Sequence, residues 1–248
     1  MPAAAPQKKD FWTIAGKSDV GLVRQGNEDA FLCDGDNGAF FAIADGVGGL
    51  EFGEQASLSA VEGVRAFFSG ANPCCFSDAP DFPKMYRELD AKIDDLGNEL
   101  ANGFGIATTL DVVARGGNGV LHCAHIGDGG IFLLRGSTLT RLTEEHTLAA
   151  EELARGNTDF PFAYTNTLTR VLGVAGNCTP QVFSFTPLPG DRILAATDGI
   201  TRMLNSEQIE SILASPSGTP ESIAAALIEN ANVAGGCDNS TAVVAFIL

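Results

Sequence analysis

Basic residues are scarce in this 248-residue chain: 15 Lys+Arg stand against 31 Asp+Glu, for a formal net charge of −16 at pH 7. A surface of that sign repels phosphate backbones and argues against nucleic-acid binding. Long apolar runs are missing too. No stretch approaches the ~18 residues of a membrane span, so no membrane partner is expected. After the opening MPAAAPQKKD comes only the short apolar run Phe11 to Ala15, too brief for a signal-peptide core. The reading is a disordered tail over residues 1–10, one domain over 11–248, and a cytoplasmic location. The six cysteines contain no CxxC pair, which excludes a structural zinc site and leaves them as small core hydrophobes of a reducing compartment.

Several catalytic signatures are absent as well. There is no GxSxG nucleophile elbow, and no cysteine is followed six residues later by arginine, as a thiol phosphatase loop requires. Gly16-Lys17-Ser18 would end a P-loop only with glycine at position 11, which is Phe11. Asp34-Gly35-Asp36-Asn37-Gly38 joins two strand candidates without the flanking helices of an EF-hand, so it reads as a hairpin turn. His122 and His125 fall on opposite faces of one predicted strand and cannot chelate one ion side by side.

What the chain does have is 45% hydrophobic residues and 29 glycines, enough for a sizeable core with many tight turns. Apolar runs predict strands over 12–16, 30–33, 39–44, 106–114, 120–126, 131–134, 181–185, 193–196 and 241–247. Helical patterns cover 54–68, 85–101, 148–155, 206–213 and 220–233, with Ser206 and Thr219 as N-caps and Pro220 at a first helical position. Ala71 to Pro83 reads as a loop between two helices. Strands in hairpin succession with helices inserted as pairs indicate α+β with antiparallel sheets, not repeated βαβ units.

One pattern recurs: a small or apolar run ends in Asp-Gly. It occurs at Asp45-Gly46, Asp128-Gly129 and Asp198-Gly199, and Asp238-Asn239 and Asn27-Glu28-Asp29 each adjoin a further strand. Asp-Gly is also an ordinary turn dipeptide, but so many carboxylates at strand ends suggest one shared site. Two unit charges 4 Å apart repel by roughly 4 kcal/mol at an effective dielectric near 20. Converging carboxylates therefore call for hard divalent cations, Mg²⁺ or Mn²⁺, which favour an all-oxygen shell. Arg24, four residues before Glu28, suits a substrate with phosphate oxygens, although a surface salt bridge would use the same spacing.

These residues resemble the metal-dependent protein phosphatases (PPM, type 2C) in their compact bacterial form. The resemblance lies in Ser18 to Asp29 (SDVGLVRQGNED), Ala44 to Gly49 (ADGVGG), Gly105 to Leu110, Ile126-Gly127-Asp128 and Leu142 to Thr147 (LTEEHT). It continues through Leu168 to Gly173 (LTRVLG), Ala196 to Ile200 (ATDGI) and Gly235 to Thr241 (GGCDNST). The segments follow the family's order from about Trp12 to Leu248.

The resemblance implies a four-layer α-β-β-α sandwich with a dinuclear Mn²⁺ or Mg²⁺ site at one end. Asp45 would bridge the ions, Asp198 and Asp238 would bind the first, and the Gly46 carbonyl the second. Glu28 and Asp29 would hold the ions' waters, Asp128 with Asp198 would serve a weaker third ion, and Arg24 would bind the substrate phosphate. The implied activity is hydrolysis of phosphoserine and phosphothreonine in proteins by a metal-activated water, in a monomer that opposes a serine/threonine kinase. Val47 stands where many members have histidine, so leaving-group protonation needs another source. Gly127-Asp128-Gly129-Gly130 replaces the family's Gly-Asp-Ser-Arg and loses local bracing, and the flap segment, about 144–166, is short. A non-catalytic phosphoprotein-binding module of the same fold and a metal-dependent hydrolase of small phosphate esters remain as alternatives.

Overall fold

The computed structural model describes residues 11–34, 39–47, 52–69, 79–101, 105–174 and 178–248. Their ten strands form two five-stranded sheets in which every paired neighbour is antiparallel. The first runs β1 (Trp12–Asp19), β10 (Ser240–Ile247), β9 (Arg192–Ala196), β6 (Gly130–Arg135), β7 (Thr138–Arg141). The second runs β2 (Asp29–Cys33), β3 (Phe40–Asp45), β4 (Leu110–Arg115), β5 (Leu121–Ile126), β8 (Gln181–Phe185).

Alternation along the central strands explains how these sheets stack. In β3, Phe41 and Ile43 meet Ile193, Ala195, Val243 and Ala245 of the opposite sheet, while Phe40, Ala42 and Ala44 point away to the helices α1 (Gly53–Ser69) and α2 (Phe82–Leu100). Likewise Leu194, Ala196, Ala242 and Val244 pack under α5 (Ser206–Leu213) and α6 (Pro220–Val233). A strand sandwiched on both faces can be apolar at every position, because side chains alternate between two dry layers. Hence Phe40 to Ala44 is a continuous buried run. The result is the expected four-layer α-β-β-α sandwich. Three short elements complete it: α3 (Leu148–Ala154), a 3₁₀ turn (Phe162–Asn166) and α4 (Asp198–Thr201). Among the described residues no helix is long and apolar enough to cross a membrane.

The element boundaries show where local signals mislead. The predicted strand 106–114 starts only at Leu110, because Thr108 makes isolated bridges to Gly46 and Leu172 instead of joining a ladder. The cap of α5 is Asn205, not Ser206. Its side chain accepts from Gln208 N at 2.9 Å and Gln208 returns a 2.9 Å acceptor to Asn205 N, a reciprocal capping box. Thr219 caps α6 as expected, with Pro220 in its first turn. The loop expected over Ala71 to Pro83 lies largely outside the described residues, and its last two residues already belong to α2. Positions 35–38 of the expected hairpin turn lie outside them as well, but β2 and β3 do pair as a hairpin.

Candidate active site

In an antiparallel ladder the end of one strand lies beside the start of the next. Asp45 ends β3 opposite Asp29, which begins β2. Asp128 follows β5 by two residues, Asp198 follows β9 by two, and Asp238 precedes β10 by two. All of these positions fall at the same end of the two sheets. Arg24, Glu28, Asp45, Gly46, Asp128, Asp198 and Asp238 line one cleft of about 220 Å³, with Val47, Thr109, Asn166, Leu168 and Arg202. Of the expected site residues only Asp29 does not line it; that side chain is buried.

Asp45-Gly46 and Asp198-Gly199 are not turns here. Gly46 N donates to Glu28 O at 3.0 Å, and a Cβ at Gly46 would fall 2.3 Å from the Gly53 carbonyl oxygen. A Cβ at Gly199 would fall 1.9 Å from the Asn239 carbonyl oxygen. Glycine is required because backbones from separate elements pass through the space a side chain would fill.

Burial and mutual repulsion of carboxylates dominate the electrostatics of the cleft. Burial, then the neighbouring Asp29, Asp198, Asp128 and Asp238, hold the Asp45 carboxyl well above the usual range. Burial pushes Asp29 up to about 7 despite hydrogen bonds from Thr241 and Thr197. Burial and then Asp128 push Asp198 up to about 6. Asp128 and Glu28 are also raised, chiefly by burial. Burial works against the charge of Arg24, but Asp238, Glu28 and Asp45 outweigh it and its proton is held more tightly than usual. Its Nη2 donates to Asp238 Oδ2 at 2.8 Å, and its Nη1 lies 4.0 Å from Glu28 Oε2.

Hard divalent ions fit this donor set. Asp198 Oδ1 and Asp29 Oδ1 are buried and have no hydrogen-bond partner, an arrangement costing on the order of 1–3 kcal/mol each unless something electropositive meets them. The available donors are carboxylate and carbonyl oxygens, which suit Mg²⁺ and Mn²⁺. Among the described residues no group of three or more acidic, histidine or cysteine side chains is placed to hold an ion by itself.

Several residues outside the expected site set support the cleft. Asn239 donates from Nδ2 to Val20 O and Gly26 O, both at 2.9 Å, and accepts from Glu28 N at 2.8 Å, so one buried amide shapes the loop carrying Arg24 and Glu28. Thr197 and Thr241 hydroxyls donate to Asp29 Oδ2 at 2.9 and 2.6 Å. Arg141 Nη2 donates to the carbonyls of Asp128 and Gly129 at 3.1 and 2.6 Å; bracing absent from the local sequence thus arrives from β7. Arg202 Nη2 lies 2.8 Å from Asp128 Oδ2 and 3.0 Å from Asp198 Oδ2. The histidines stay out of the cleft. His125 is buried between Asp111 and the Glu144 carbonyl, and His122 Nδ1 lies 2.8 Å from Ser184 Oγ.

With this geometry in hand, relatedness can be judged. A family model described as Protein phosphatase 2C matches residues 22–227. This chain belongs to the protein phosphatase 2C family. The protein phosphatase PhpP of Streptococcus pneumoniae is 30% identical over 231 residues, covering 90% of this chain and 93% of that protein. The PPM Ser-Thr phosphatase MsPP of Mycobacterium smegmatis, solved with cacodylate, is 31% identical with a TM-score of 0.81, covering 95% of this chain and 98% of that one. The catalytic domain of the phosphatase PstP, solved with two manganese ions, is 27% identical with a TM-score of 0.82, covering 96% and 98%. The chain is accordingly a metal-dependent serine/threonine phosphatase of the bacterial PPM type.

Proposed function

We propose that this phosphatase acts on phosphoserine and phosphothreonine in proteins, at the cleft between the two sheet ends. The observation that carries the reading is the meeting of Asp45, Asp128, Asp198 and Asp238 with two guanidiniums in one cleft. In this reading Asp45, Asp198, Asp238 and the Gly46 carbonyl would hold two Mn²⁺ or Mg²⁺ ions, with Asp45 contributing to both. Glu28 and Asp29 would act through the ions' waters. The ions, when bound, lower the pKa of water toward neutrality and offset charge on the phosphoryl group. Arg24 orients the phosphoryl oxygens; it is partly exposed at the cleft wall and held by Asp238. Val47 offers no proton, and among the described residues no histidine lines the cleft, so the leaving alkoxide takes its proton from water or from another group of the cleft.

A second hollow of about 490 Å³ favours a polypeptide over a small ester. It shares Asp128, Asn166, Arg202 and Asp238 with the cleft and extends over Phe162, Met203 and Cys237. A chain flanking the phosphorylated residue can lie there. The reading extends to a cytoplasmic monomer that reverses the action of a serine/threonine kinase, built as one domain over 11–248 with a flap near 144–166. The test is Mn²⁺-dependent release of phosphate from phosphoserine and phosphothreonine peptides, beside p-nitrophenyl phosphate. Hydrolysis that vanishes in Asp45→Asn and Asp238→Asn with folding intact is expected; turnover unchanged in excess EDTA would refute the reading.

A further inference from the structure

We propose that Arg202 is the chain's own cation for the Asp128–Asp198 pair, so that Asp128 takes no metal ion and a third ion has no place here. This rests on the two-ion reading of the cleft. One nitrogen, Arg202 Nη2, sits 2.8 Å from Asp128 Oδ2 and 3.0 Å from Asp198 Oδ2. It thus occupies the oxygens that an ion shared by these two carboxylates would need.

The pairing is built in from both sides. Arg202 follows Asp198 by one helical turn, at the C-terminal end of α4, with Arg202 N donating to Asp198 O at 2.8 Å. A side chain at i+4 leans back over residue i, so little additional order is needed to bring them together. Asp128 is fixed independently. Arg141 holds its carbonyl and that of Gly129, and Gly127 N donates to His146 Nδ1 at 3.1 Å. The loop therefore presents the carboxylate to Arg202 rigidly.

The two oxygens of Asp198 then divide their work. Oδ2 faces Arg202, while Oδ1 is buried without a partner and remains free for an ion on the Asp45 side. Asp128 has its Oδ2 committed to the guanidinium. A tethered monovalent cation at this spot offsets one of the pair's two negative charges without drawing on free metal. The arginine is only partly buried, with a side-chain exposure of 36%, so the position it fills lies at the mouth of the cleft, where a loosely held ion would otherwise exchange with solvent.

The test counts manganese. Wild type, Asp128→Asn, Arg202→Ala and the double variant are titrated with Mn²⁺ by calorimetry, and bound metal is measured after gel filtration. Circular dichroism checks that each is folded. Asp128→Asn is expected to bind as many ions as wild type, and Arg202→Ala one more per chain, lost again in the double variant. Loss of an ion in Asp128→Asn, or an unchanged count in Arg202→Ala, overturns the proposal. The wild-type count itself tests the two-ion reading, so the failure of one is distinguishable from the failure of the other.

Discussion

The middle of the sandwich and its acidic end are made by the same strands and obey opposite rules. Between the sheets Phe41, Val113, Ile131, Ile193 and Val243 are essentially without solvent contact and carry no polar atom in their side chains. At the last residue of β3, and two residues past β5 and β9, the strands of the sandwich deliver Asp45, Asp128 and Asp198, whose charges disfavour one another. The first region stabilises the fold by removing apolar surface from water. The second stores repulsion that a bound cation relieves. The rigidity of the middle is what makes the strained end possible, since a packed core does not yield to let carboxylates drift apart.

The sharpest way to break this contrast is at its pivot. Asp45→Asn is expected to lower kcat/KM by at least about 10³-fold, or about 4 kcal/mol in transition-state stabilisation. The same change leaves the metal-free protein at least as stable as wild type, because it removes a repelled charge. Steady-state kinetics with Mn²⁺ and thermal melts in EDTA read the two effects separately. In the middle the sign reverses: Phe41→Ala should cost about 3–4 kcal/mol in urea unfolding through the cavity it leaves, while the folded fraction still binds Mn²⁺.

The pH dependence sharpens the comparison further. Asp29 and Asp198 bind protons more tightly in the folded protein, at about 7 and about 6, than an aspartate in an unfolded chain, at about 4. Their destabilisation is absent below about pH 4, grows as pH rises, and is complete above about pH 7. Metal-free stability should therefore fall across that interval by several kcal/mol. The gain in Tm on adding Mn²⁺ should be larger at pH 8 than at pH 5. The smallest effect lies far from the cleft: Asn205→Ala, which removes the α5 capping box, should cost about 1 kcal/mol in chemical unfolding and leave the apparent Mn²⁺ affinity as it was.

Most of the sandwich was legible because its strands are short apolar runs between glycines and polar turns. The carboxylates were legible because each closes or opens such a run. β7 was not, since Thr138 to Arg141 is four residues long and largely solvent-facing, leaving almost no periodicity to detect. The start of β4 was misjudged because Ile106 to Thr109 has a strand's composition but spends its backbone on Asp45, Val47 and Leu172. The supporting roles of Asn239, Arg141 and Arg202 escaped for a related reason: a hydrogen-bonding side chain looks the same in sequence whether its partner is water or a backbone 213 residues away.

By itself, then, the order of residues determined the strand and helix segments, the family motifs and the set of acidic ligand candidates. All of these are local patterns of polarity and spacing, set by the two-residue period of a strand and the turn of a helix. Only the folded structure decided which end of the sheets the carboxylates share, that Asp29 sits behind the cleft, and that Arg202 reaches two of its aspartates. Those facts depend on distances between segments far apart in the chain, and such distances exist only once the two sheets have packed.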